Sequence, residues 1–165
     1  MKRSLLVGIL LIISSHFFGQ EKKRLEIIHA DEVALDPEIS DAQRLLGNVQ
    51  FKFREAFMNC DSAYRYPNGD FDAFSNVRIN QGDTLKLYSD YLHIDKEGRV
   101  AELRESIRLK DQQMTLTTES MDYDFDEEIA SYFGGGTIVS LENDNRLSSQ
   151  QGFYDPTSKF FQFRD

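Results

Sequence analysis

Sulfur crosslinks, metal ligands and basic residues are all scarce in this chain. One cysteine, Cys60, among 165 residues excludes an intrachain disulfide. The three histidines, His16, His29 and His93, share no spacing, and metal centres need several converging ligands. No metal site and no cofactor is therefore expected. No Ser-His-Asp or Cys-His set at a hydrolase spacing occurs, so no catalytic residue is assigned and the chain reads as a non-enzyme. Gly134-Gly135-Gly136 alone resembles a phosphate loop. Such loops open a helix carrying Lys-Ser/Thr, whereas Thr137, Ile138, Val139 and Leu141 continue as a strand, so a backbone bend is predicted. Tryptophan is absent and basic residues number 19 against 28 acidic. That balance repels nucleic acid and anionic surfaces at long range.

The longest apolar run, residues 5–13, follows Lys2 and Arg3 and falls short of the ~20 residues of a membrane span. This is the pattern of a secretory signal, expected over residues 1–20, with a retained anchor as the alternative. No cysteine follows the run, so no lipid anchor is indicated. Removing Lys2 and Arg3 leaves 17 basic against 28 acidic residues, a net charge of −11. Residues 21–165 are then one domain's length.

What the chain does have is repetition. In residues 74–103, Val77 and Ile79 alternate with polar residues up to Asn80-Gln81-Gly82-Asp83, a turn, and Leu85 and Leu87 alternate after it. Period-two patterning broken by Gly and Asn marks a hairpin. Past Asp90 the apolar positions move to Leu92 and Ile94, which predicts a bulge near Ser89-Asp90, and Asp95-Lys96-Glu97-Gly98 supplies the second turn. Equivalent turns at Asp36-Pro37, Tyr66-Pro67, Asp95-Lys96, Asp124-Phe125 and Asp155-Pro156 follow at spacings of about 30, 29, 29 and 31. A small-residue column (Ala30, Cys60, Ser89, Thr118, Ser149) precedes a corner column (Asp31, Asp61, Asp90, Glu119, Gln150). Val49, Val77, Ile107 and Thr137 align as strand starts. Three columns in agreement define one β-unit, stacked.

Two columns invite chemistry. Stacking would bring Asp31, Asp61, Asp90 and Glu119 about 5 Å apart, as a cation ladder requires. Corner carboxylates bonded to their own backbone are the preferred reading. Cys60 shares its column with Ser and Thr, so a small packed residue is expected rather than a reactive thiol.

The copies must share one interior, and the alternation assigns to it Val49, Phe51, Val77, Ile79, Leu85, Leu87, Ile107, Leu109, Met114 and Leu116. Such an interior is either a dry core or a greasy groove open along its axis, and Met58, Met114 and Met121 would suit a variable ligand. At the ends, Ile27 and Ile28 belong to a half-copy, and Phe160, Phe161 and Phe163 to an apolar terminal strand. Both are expected to pair with something outside the unit.

The segments Leu46-Gly47-Asn48-Val49-Gln50-Phe51, Cys60-Asp61-Ser62-Ala63-Tyr64, Ala73-Phe74-Ser75-Asn76-Val77-Arg78-Ile79 and Gln81-Gly82-Asp83-Thr84-Leu85 resemble the OstA/LptA-like family. This family comprises the lipopolysaccharide-transport bridge and the organic-solvent-tolerance N-terminal domains. The likeness covers residues 25–163. It implies an all-β, open-ended, twisted antiparallel β-jellyroll, a V-shaped sandwich of stacked repeats. It further implies a periplasmic carrier of Gram-negative outer-membrane biogenesis that shields the acyl chains of lipopolysaccharide or another acylated lipid. Such a carrier would pair head to tail with itself or with other transport components. The acidic balance departs from a basic, phosphate-holding rim, so acyl chains would supply the affinity. The alternative is a structural β-solenoid stalk or protein-interaction domain with a filled core.

Overall fold

The computed structural model describes residues 25–39, 41–82 and 85–164. The signal expected over residues 1–20 lies outside them, as does Asp83 of the first turn. The described residues form eleven strands: β1 (Glu26–His29), β2 (Glu32–Asp36), β3 (Ala42–Phe53), β4 (Ala56–Arg65), β5 (Phe71–Gln81), β6 (Leu85–Ile94), β7 (Val100–Lys110), β8 (Met114–Asp124), β9 (Ile129–Ser140), β10 (Arg146–Asp155) and β11 (Phe160–Arg164). All pair antiparallel in a single open sheet that follows chain order from β3 to β11, with β1 and β2 both on β3. The acidic segment after Asp124 is a turn, as its place in the repeat predicts.

Each long strand is bent once, at one level, and the bend folds the sheet upon itself. Register breaks fall between Leu46 and Val49, Asn59 and Ser62, Phe74 and Val77, Tyr88 and Tyr91, Arg104 and Ile107, and Thr118 and Met121. The first limb of the V contains β1 and residues 49–53, 56–60, 77–81, 85–89, 107–110, 114–118, 136–140 and 146–149. The second contains β2, β11 and the remaining halves.

The bulge predicted near Ser89-Asp90 is present, but the backbone device lies opposite it. Gly47 and Asn48, Ser75 and Asn76, Glu105 and Ser106, and Gly134 and Gly135 all have positive φ, between 46° and 102°. Two successive left-handed residues turn the strand sharply, and outside glycine and asparagine this is strained. Val49, Val77 and Ile107 therefore do not start strands; they leave the corner in mid-strand. The register corrects the fourth member of that column: Gly136, not Thr137, pairs with Thr118 and Ser149. A Cβ on Gly136 would sit 2.6 Å from the Tyr132 ring, so a glycine occupies the place a valine fills elsewhere.

The opposing columns stabilise the bend. Asp31 accepts from the Asn48 amide at 2.7 Å, Asp61 from the Asn76 amide at 2.6 Å, and Glu119 from the Ser106 backbone N–H at 3.2 Å. These corner carboxylates thus reach across to left-handed residues of a neighbouring strand rather than to their own backbone. The small column is a donor column. Cys60 Sγ, Ser89 Oγ and Ser149 Oγ each donate to the carbonyl two residues on, at 3.2, 2.9 and 3.4 Å, whereas Thr118 Oγ1 donates across to the Gly135 carbonyl at 2.7 Å.

Candidate functional site

The inner faces of the two limbs meet to form the interior. All ten residues assigned to it from the alternation are buried there, and all belong to the first limb. Facing them, on the second limb, are Leu45, Phe71, Leu92, Ile94, Leu103, Met121, Tyr123, Tyr132 and Tyr154, interspersed with Ala63, Ala73, Ala101 and Ala130. Of that half the sequence pointed only to Met121, with Leu92 and Ile94 read as apolar strand positions. The alanines are weak apolar signals, yet small residues here admit the large side chains of the opposite limb. Across the gap the Phe51 and Phe71 rings lie 4.5 Å apart, and Met58, Met114 and Met121 are buried among them.

The interior is filled in this conformation. Among Ile79, Leu85, Leu87, Ala101, Tyr123 and Phe125 the free space is about 10 Å³, room for at most one water. Two larger hollows, about 850 and 410 Å³, are open grooves along the bend. One is lined by residues including Arg108, Thr117, Glu119 and Ser148, the other by residues including Asn59, Asp61, Asn76 and Arg78.

Opposite the bend the limb tips meet in a seam, and side chains rather than a strand ladder hold it. Arg54, in the β3–β4 turn, donates to the carbonyls of Phe125 (2.9 Å) and Gly98 (3.2 Å) and to Asp126 (2.6 Å). Its guanidinium also lies 5.4 Å from the Phe125 ring centre and 5.8 Å from that of Phe53. The Tyr123 hydroxyl donates to Gln81 at 3.0 Å, and burial, aided by Glu128, pushes that phenol up to about 12. At the third contact the Tyr154 hydroxyl donates to Asp111. Asp111 also accepts from the backbone N–H groups of Gln113 (2.7 Å) and Met114 (2.8 Å), with Lys159 Nζ 3.4 Å away. Burial alone would raise the Asp111 carboxyl. The Tyr154 hydroxyl, the two N–H donors and Lys159 outweigh it and hold the group below the ordinary carboxylate range.

Each of these contacts joins a first-limb element to second-limb elements further along the chain, so the limbs are staggered. Inner-face positions are left bare at both ends. Val33 (58% exposed) is paired with Leu45, and Leu35 (70%) with Gln43, on the β2 edge. Leu147 (44%) is paired with Ile138 on the β10 edge of the first limb. Directly paired residues share a face, so these side chains extend the interior into solvent. Of the expected edge residues, Ile28, Phe160 and Phe163 are exposed, whereas Ile27 and Phe161 are partly buried against the core, Phe161 stacked 4.1 Å from Tyr154. β11 is paired with β10 on one side only.

The remaining candidates are structural. Burial raises the Cys60 thiol to about 12, far from a reactive thiolate. His29 Nε2 lies 3.1 Å from Asp31, whose carboxyl the His29 and Asn48 hydrogen bonds hold below its usual value. His93 Nδ1 lies 2.7 Å from Asp72, which also accepts from the hydroxyls of Tyr66 and Tyr91. Among the described residues no three His, Cys, Asp or Glu side chains converge as a metal site would require.

The model of one family, the OstA-like proteins, matches residues 22–165. A solved structure of similar fold is LptH of Pseudomonas aeruginosa, described as the LptA-homologous periplasmic component of the lipopolysaccharide transport device. It superposes with a TM-score of 0.51 at 11% identity, over 86% of this chain and 82% of that one. No curated protein matches the chain.

Proposed function

The chain belongs to the OstA-like protein family, and from that premise we propose that residues 21–165, following a signal over 1–20, are a periplasmic carrier module. The module shields the acyl chains of lipopolysaccharide or a similar acylated lipid between its limbs on the way to the outer membrane. The observation that carries this reading is a continuous apolar interior whose inner face runs out into solvent at both ends, through Val33 and Leu35 at one and Leu147 at the other. A domain with a closed core has no reason to leave such residues uncovered. An interior continued into a neighbour does.

Head-to-tail pairing follows from the same ends. β11 offers a free edge with Phe160 and Phe163, β1 and β2 offer Ile28, Val33 and Leu35, and a second copy or another transport component would pair with them by strand addition. The role is binding and bridging, with acyl burial as the source of affinity. Roughly ten buried methylenes contribute about 8 kcal/mol, before the cost of parting the limbs.

One observation favours a second reading, a structural stalk with a permanent core: the inner faces are packed together, with about 10 Å³ free among Ile79, Leu85, Leu87, Ala101, Tyr123 and Phe125. Native mass spectrometry of the protein incubated with lipopolysaccharide separates the two. The carrier reading expects a bound acylated lipid that survives transfer to the gas phase. A clean apo mass at every lipid concentration would support the stalk and refute the carrier.

A further inference from the structure

We propose that ligand enters sideways through the seam between the limb tips, and that Arg54 is the latch, exchanging its internal acceptors for the oxygens of an anionic headgroup as the seam opens. The inference rests on the carrier reading and goes beyond it in naming a route, a residue and a headgroup class.

A filled interior admits an acyl chain only if the limbs part, and the fold leaves one line along which they can. At the bend, each of the long strands β3 to β10 passes covalently from one limb to the other. Along the seam no strand ladder joins them among the described residues, because the sheet is a single linear series of strands. Among the described residues, what crosses at the tips is a set of side-chain bonds from Arg54, Tyr123, Tyr154 and Lys159. Threading a chain from an open end would instead require displacing each inner side chain in turn.

Arg54 is the contact best suited to release. It links one first-limb tip to two second-limb turns, β6–β7 and β8–β9, so its loss frees two turns at once. Its Nε is buried without a hydrogen-bond partner, so the closed state carries an unmet donor, which opening would return to water or to a ligand. Its acceptors are two carbonyls and one carboxylate oxygen. A phosphate or carboxylate headgroup presents the same oxygens in a fork that a guanidinium matches. Phe53 and Phe125, edge to face at 5.0 Å beneath it, would part to take the first methylenes. The acidic net charge is compatible with this, since a single latch cation needs no basic surface around it.

The test uses Arg54→Cys and Asp126→Cys together in a Cys60→Ser background, joined by a short thiol crosslinker that a reductant cleaves. Uptake is followed with fluorescent lysophosphatidic acid and with an uncharged fluorescent monoacylglycerol. Joining the tips is expected to slow loading of both probes at least tenfold, and cleavage of the linker in the same molecules to restore it, which removes misfolding as an explanation. Separately, Arg54→Gln is expected to load the uncharged probe faster than the parent and to retain the phosphate probe less well. Loading that is indifferent to the crosslink would place access at the ends and overturn the latch while leaving the carrier reading intact. If neither probe binds the parent protein, the carrier reading itself fails and the latch with it.

Discussion

Removing one hydroxyl, in Tyr154→Phe, tests how the seam is held. Tyr154 is 1% exposed, and its hydroxyl is bonded to Asp111, which is 5% exposed. A hydrogen bond to a charged group is worth about 1.5–3 kcal/mol. Asp111 keeps its two backbone N–H donors and Lys159, so the lower half of that range applies, roughly 1.5–2.2 kcal/mol. For a domain of this size that lowers Tm by roughly 5–10 °C. The pH dependence identifies the partner. The folded-state pKa of Asp111 is depressed, so the stability it contributes is present above the unfolded carboxyl value of about 3.9 and is lost as pH falls through the lower folded value. Urea melts of parent and variant at pH 7 and at a pH below the folded-state value of Asp111 should therefore show a full gap at the first pH and a reduced one at the second. An equal gap at both would mean that the hydroxyl does not act on an ionised Asp111. A gap below about 0.5 kcal/mol at pH 7 would mean that this contact does not hold the seam.

The remaining expectations concern the bend and the interior. Cys60→Ser keeps the donor to the Ser62 carbonyl and should change stability by under about 1 kcal/mol, whereas Cys60→Val, which leaves that carbonyl unmet, should lose about 1–3 kcal/mol; denaturant titration distinguishes them. Ser106 has φ of 52° where Asn48 and Asn76 occupy the same column, so Ser106→Asn should raise Tm, by the equivalent of about 0.5–1 kcal/mol. Gly136→Ala drives a Cβ into the Tyr132 ring and should lower stability by about 1–3 kcal/mol, read by thermal melting. Leu109→Ala, at a position with 0% exposure, should cost about 2–5 kcal/mol in the lipid-free protein, and added lipid should recover part of it by mass action.

The turns and one side of the bend were legible in the sequence because their chemistry is narrow. Proline and Asn-Gly mark chain reversals, and a small residue before an acidic one recurs because each corner needs a compact donor followed by an acceptor. The other side of the bend was not legible. Gly47-Asn48, Ser75-Asn76, Glu105-Ser106 and Gly134-Gly135 share a backbone conformation and not a residue type, so no column stood out. The first-limb lining was read from strict alternation. Most of the second limb escaped because Ala63, Ala73, Ala101 and Ala130 are buried for their small size, which hydropathy does not register. The seam left no trace at all: Arg54 meets partners 44 to 72 residues away and Tyr154 meets Asp111 across 43. Such distances carry no periodic signal.

Leu85 and Lys86 are neighbours in β6 that face opposite ways, Leu85 buried in the interior and Lys86 exposed. A photoreactive diazirine side chain placed at each position in turn, followed by irradiation with lipopolysaccharide, asks directly whether lipid lies between the limbs. Adducts at position 85 with none at position 86 are the expected result. Adducts at 86 alone, or at neither while the protein remains folded, would contradict a lipid-bearing interior.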